Sequence, residues 1–175
     1  ASLAAAYDDL SPDIKARLQG LEYKAEASRG SSESSRGGKW WQTSRFARDD
    51  EYPPGVEPPI EPKWPDYSPW PPVVFPALLR HPESGRMCLF ISPMNFECFI
   101  GMEPRESEEL TGYLLDHMTG PRYVYAHQWA ANDAIIWDNR RFIHAAAGYP
   151  PDEKRVALRT TLADKLRVGR HFQAG

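Results

Sequence analysis

Ten of the seventeen prolines in this 175-residue chain fall between Pro53 and Pro76. Proline has no backbone donor and its ring clashes with the preceding helical turn, so such a segment can be neither a helix nor a central strand. Four of the six tryptophans lie close by, at positions 40, 41, 64 and 70. Disordered segments are usually poor in aromatics. The expectation is therefore a long extended excursion that packs its tryptophans against the domain or against a partner. A proline-rich ligand for a signalling module is the minor alternative. Residues 28–38, SRGSSESSRGG, lead into it as a Ser/Gly-rich loop. The whole excursion spans about residues 28–76.

The chain on either side must supply the core, and its mass of 19.9 kDa suits one ordinary domain. Residues 3–10 form a short helix pattern. Ser11-Pro12-Asp13 is a helix start, with a serine cap, proline in the first turn and an acid beside the positive end of the dipole. Ile14, Leu18 and Leu21 then make an apolar stripe, and Gly20 suggests the stop. After the excursion, residues 72–80 read as a strand, His81-Pro-Glu-Ser-Gly-Arg as a turn and residues 87–92 as a second strand, together a hairpin. Residues 104–117 read as a helix with acids at its start. Residues 123–129, 134–137, 141–146 and 155–162 read as four further short strands. The fold class is mainly β with flanking helices, and short punctuated strands point to a two-sheet barrel or jelly roll.

Charge excludes some partners. With 21 basic and 24 acidic residues the net charge is −3, so there is no electrostatic case for nucleic acid or a membrane surface. No apolar run approaches a bilayer span and the start carries no signal-peptide pattern. Cys88 and Cys98 are too few for a disulfide scaffold and are expected as free, buried thiols. A reducing, cytoplasmic compartment follows from that usage, and a homo-oligomer is compatible with it.

The chemistry concentrates between His127 and Thr161, HQWAANDAIIWDNRRFIHAAAGYPPDEKRVALRTT. On a strand, Arg155, Ala157 and Arg159 share one face, while Val156 and Leu158 face an apolar layer. Two cations on one face repel unless something negative lies near. That could be a protein carboxylate, or a small anionic ligand above Ala157. His144 is either a metal ligand beside this wall or a structural histidine bonded to backbone. His127 and Trp129 read as framework, and Trp137-Asp138-Asn139-Arg140 as a tight turn that aims His144.

HQW, a polar turn, WDNR, His144, Arg155 and Arg159 resemble the C-terminal signature of the taurine dioxygenase family. AYDDLSPDIKARLQGL, HPESGRMCLFIS and GYPPDEKRVALRTTL resemble that family too, in the family's order, covering most of the chain outside residues 28–72. The resemblance implies a double-stranded β-helix, or jelly roll, with residues 1–175 as the C-terminal part of one dioxygenase domain. It implies an enzyme that uses iron(II) and 2-oxoglutarate to oxidise a small molecule, releasing succinate and carbon dioxide. Hydroxylation is the default outcome, with desaturation or cyclisation available to the same residues. His144 would be an iron ligand. Arg155, eleven residues later, would bind the far carboxylate of 2-oxoglutarate, and Arg159, fifteen residues later, the acid group of a carboxylate or sulfonate substrate.

Iron of this class is held by two histidines and one carboxylate. The first histidine and the carboxylate of that set are missing from these residues. The one His-X-Glu in the chain, His81-Pro82-Glu83, lies in a turn that corresponds to a hairpin tip in the family. The expectation is that the missing pair lies upstream of Ala1 in a longer polypeptide. The alternatives are an inactive jelly-roll interaction module, an isolated fragment, or a different metalloprotein in which His81, Glu83 and His144 converge. Met94, Asn95 and Phe96 are expected near the substrate, or equally as core with a turn asparagine.

Overall fold

The computed structural model describes residues 1–25, 71–93, 95–145, 156, 158–162 and 166–173. The excursion up to residue 70, Met94 and Arg155 lie outside the described residues.

Two serine caps open the chain. Ser2 Oγ accepts from the Ala5 N–H at 3.3 Å and Ser11 Oγ from the Ile14 N–H at 3.4 Å. Each satisfies a backbone donor that has no partner in the first turn of a helix. They start α1 (Leu3–Asp8) and α2 (Pro12–Leu18). Leu18 is fully buried, and Ile14 and Leu21 pack at the core margin as the apolar stripe requires. Gly20 adopts φ +73, a conformation that costs glycine little. That reversal lets the chain leave α2 and enter β1 (Glu22–Ala25).

The main sheet is built around β1. It pairs antiparallel with β2 (Val73–Pro76) and with β5 (Phe96–Phe99), and β6 (Arg170–His171) adds to β2, giving the order β5-β1-β2-β6. Alternation turns Tyr23 and Ala25 inward. Lys24 points the other way and pairs with Glu97 at 3.0 Å. Tyr23 stacks on Phe96 at 5.2 Å and meets Phe75 at 5.8 Å, while Phe96 meets Phe99 edge-on at 4.9 Å. Burial pushes the Tyr23 phenol up to about 12, with the Ser92 backbone hydrogen bond acting the other way. β3 (Leu78–Arg80) and β4 (Met87–Leu89) form a separate antiparallel hairpin. α1 packs on β4, and α3 (Pro104–Met118) packs on β5 and α1.

The predicted strand over 72–80 is two strands in two sheets. Pro76 cannot donate to a ladder, so β2 ends there. The Ala77 N–H then bonds to Leu21 O and Ala77 O accepts from the Phe90 N–H, both at 2.8 Å, which hands the chain from one sheet to the other. β2 also corrects the expectation that the segment ending at Pro76 contains no central strand: β1 and β6 flank it. The ladder tolerates this because proline falls only at its last residue. Near the end of the chain, His171 of β6 pairs with Val73 of β2.

The larger correction concerns the second half. Among the described residues, 123–129, 134–137 and 156–162 contain no strand. A strand persists only through ladder bonds and a buried face. Here Ile136 is 93% exposed and Leu158 97% exposed. Residues 141–143 come nearest to the expectation. They run antiparallel to residues 1–3, with the Leu3 N–H bonded to Arg141 O at 2.8 Å and the Ile143 N–H to Ala1 O at 3.1 Å.

Ser107, at the start of α3, is buried and its Oγ accepts from the Phe99 N–H at 2.9 Å, tying the helix to β5. Ser107→Ala would strand that donor. The expected cost is about 1–3 kcal/mol, read as a lower urea midpoint at unchanged m-value.

Candidate functional site

The residues around His144 are organised by the turn that precedes it. Asp138 Oδ1 accepts from the Arg140 N–H at 2.8 Å, and Asp138 O accepts from the Arg141 and Phe142 N–H groups at 3.0 Å each. Trp137 Nε1 donates to Asn139 Oδ1 at 2.8 Å. Aspartate and asparagine stabilise turns through such short-range bonds. The chain then pairs with residues 1–3, and His144 follows directly. Its ring lies 4.8 Å from the Trp137 ring, inclined at 54°.

A histidine far away in sequence holds the other side of this turn. His81, 3% exposed, meets Asp138 Oδ2 through Nε2 at 2.7 Å. Its Nδ1 accepts from the Ser84 N–H at 3.1 Å and lies 3.0 Å from Ser84 Oγ. Accepting at Nδ1 places the ring proton on Nε2, aimed at the carboxylate. Burial raises the Asp138 carboxyl, but the Arg140 N–H and His81 outweigh it and leave the group below the usual carboxylate range.

Both nitrogens of His81 are thereby engaged, and Glu83 beside it is exposed. A metal centre joining His81, Glu83 and His144 is thus corrected. Among the described residues no three histidine, cysteine or acidic side chains converge to hold a metal. His117 bonds to Ala6 O at 2.8 Å, and His127 bonds to Asp133 at 3.0 Å with its ring edge-on to Trp129 at 4.8 Å.

His144 is at the surface, and its imidazole is held below the ordinary histidine range. Partial burial contributes most, followed by the positive charges of Arg159 and of the Ala1 amino group. A neutral imidazole keeps a lone pair for a metal ion. The Arg159 guanidinium is thus one of the positive charges that bear on His144. Arg155 and Ala157 lie outside the described residues. Val156 and Leu158, expected to face an apolar layer, are 76% and 97% exposed, because no sheet forms behind them among the described residues.

Of the expected substrate contacts, Met94 lies outside the described residues and Asn95 is exposed. Phe96 fills the core, 1% exposed between Tyr23 and Phe99. Cys88 is buried, with burial raising its thiol above the usual range, and Cys98 is half-buried. Among the described residues no helix is long and apolar enough to cross a membrane.

A family model described as taurine catabolism dioxygenase TauD, TfdA family matches residues 1–161. The chain belongs to the TauD/TfdA family. It is 35% identical over 164 residues to a (S)-phenoxypropionate/alpha-ketoglutarate-dioxygenase of Sphingobium herbicidovorans, covering 93% of this chain and 50% of that protein. It is 32% identical over 174 residues to an alpha-ketoglutarate-dependent 2,4-dichlorophenoxyacetate dioxygenase of a Burkholderia species, covering 98% and 50%. Among solved structures it resembles a taurine dioxygenase from Burkholderia xenovorans, with TM-score 0.54, 26% identity and coverage of 80% and 36%. It also resembles AAD-2 in complex with Mn(II) and N-oxalylglycine, with TM-score 0.58, 25% identity and coverage of 81% and 46%. The chain spans about half the length of the curated TauD/TfdA relatives it matches along nearly its whole length.

Sequence reasoning singled out His144 and Arg159 as candidates and missed the bond between His81 and Asp138. The two are separated by 57 positions, and no periodicity links residues so far apart. A lowered pKa for His144 has a sign that can be checked. Between the unfolded value near 6.5 and the lower folded value, the unfolded chain binds a proton that the native chain does not. Stability from this group is thus complete above that window and lost as pH falls through it. In a metal-free NMR titration, the His144 ring should show a midpoint below 6.5, moving up in Arg159→Ala.

Proposed function

We propose that this chain forms part of an iron(II)- and 2-oxoglutarate-dependent oxygenase acting on a small acidic molecule. The observation that carries the reading is the match of residues 1–161 to the TauD/TfdA family model, within which His144, Arg155 and Arg159 lie. Burial and the positive charge of Arg159 both disfavour protonation of His144, which suits a metal ligand.

The donor chemistry of His144 fits one position of a two-histidine, one-carboxylate set. All five histidines of the sequence are described; His81, His117 and His127 bond to Asp138, Ala6 O and Asp133, and His171 lies in β6. The reading therefore requires a second histidine and a carboxylate to join His144 in the working protein, from a jelly roll whose sheets these residues help to build. Bound iron and 2-oxoglutarate would supply the oxidising chemistry with dioxygen as the oxidant: one oxygen atom would end in succinate as carbon dioxide is released, and the other in the hydroxylated product or in water. Arg155 anchors the far carboxylate of 2-oxoglutarate. Arg159 orients the acid group of the substrate, and Asn95 and Met94 line its approach. Phe96, held in the core between Tyr23 and Phe99, is not among the substrate contacts.

The names of the relatives support a carboxylate as substrate, since phenoxypropionate and 2,4-dichlorophenoxyacetate are both acids. They also leave the outcome open, since a tyrosine isonitrile desaturase matches 55% of the chain. Hydroxylation, desaturation and ring closure differ in how the substrate is held, not in these residues.

The test is binding of Mn(II) and of 2-oxoglutarate by calorimetry, with succinate release as the activity readout. Arg155→Ala should weaken 2-oxoglutarate binding by about 2–3 kcal/mol, as for loss of a charge-assisted hydrogen bond, with little change in Mn(II) affinity. Equal loss of both, or of neither, would count against the assignment. Arg159→Ala should raise KM for acidic substrates more than it lowers kcat.

A further inference from the structure

We infer that His81 is a positioning residue for His144, acting through Asp138; this rests on His144 being a metal ligand. The 137–145 segment contains no strand, so among the described residues ladder bonds hold it only at the short contact with residues 1–3. What fixes the rest is the turn at Asp138, and that turn makes its long-range side-chain bond to His81.

Each step of the linkage is short. The tip of the β3–β4 hairpin folds back so that the Ser84 N–H bonds to Nδ1 of His81, and the Gly85 N–H bonds to His81 O at 2.9 Å. The hairpin itself is anchored by α1 packed on β4 and by the bond between Arg86 and Asp8. The imidazole is thus locked at one nitrogen and presents the other to Asp138 Oδ2. Asp138 is 40% exposed, so water competes for its carboxylate; a partner that is 3% exposed and held in place competes well against it. The second oxygen and the backbone carbonyl of Asp138 then fix residues 140–142. Trp137, adjacent to Asp138 and tied to Asn139, sets its ring against the His144 ring. The ring nitrogens of His81 meet Asp138 and Ser84, so its influence on His144 runs through Asp138.

The experiment is Mn(II) binding to the full-length protein, followed by electron paramagnetic resonance, for wild type, His81→Ala, His81→Gln and Asp138→Ala. Outer partners that orient a metal ligand typically change affinity by about ten-fold to a hundred-fold when removed. His81→Ala should raise the Mn(II) Kd by about ten-fold or more. Asp138→Ala should do the same, and the double variant should be no worse than either, because both remove one linkage. His81→Gln, whose amide can reach the position of Nε2, should recover most of the affinity. Far-UV circular dichroism identifies any variant that fails to fold, and Asp138→Asn, which weakens the same bond and keeps its shape, then replaces it. Unchanged Mn(II) affinity alongside a lowered melting temperature would overturn the inference and leave His81 a stabilising residue only. Absence of Mn(II) binding in the wild type would instead overturn the oxygenase reading, and this inference with it.

Discussion

The arrangement of this chain depends on β1 lying between β2 and β5 with Tyr23 turned inward. Four residues that follow a glycine-terminated helix are paired on both sides by segments some fifty and seventy positions later in the sequence. Without that ladder the aromatic cluster of Tyr23, Phe75, Phe96 and Phe99 would have no common surface. The cost of closing so long a loop grows only slowly with its length. A buried ladder with stacked rings can meet it, so β1 and β2 pair although some fifty positions separate them.

The site inherits its order from that core at one remove. His144 is not on a strand of either sheet; it follows a turn that is tied to a hairpin, which is packed on a helix. Each link is a hydrogen bond or a packed face, and the imidazole at the end is held below the ordinary histidine range by partial burial and by the positive charges of Arg159 and the Ala1 amino group. The TauD/TfdA membership rests on residues 1–161 as a whole, and the influence of the Arg159 charge on His144 is in keeping with the roles proposed for both.

Much of this was legible locally. Ser11, Pro12 and Gly20 delimit α2 because capping and left-handed turns are decided within a few residues. The acidic start and the histidine end of α3 follow the same logic, with Glu103 accepting from the Arg105 and Glu106 N–H groups. The turn at 137–140 was legible from its Asp and Asn. The strand pattern beyond residue 123 misled, since Val156 and Leu158 alternate with polar residues as a strand would. Alternation states a preference for a half-buried surface; it does not supply the neighbour that creates one.

The sequence by itself determined the helix limits, the hairpin of residues 78–89, the family and the pairing of His144 with Arg159 as candidates. These rest on short-range chemistry or on motifs whose spacing is written along the chain. Only the tertiary structure decided that the 72–80 segment divides between two sheets, that Phe96 belongs to the core, and that His81 grips Asp138. Each of those outcomes is a contact between residues far apart in sequence. Such contacts are selected by which buried donors and apolar faces find partners, and a linear pattern does not contain that information.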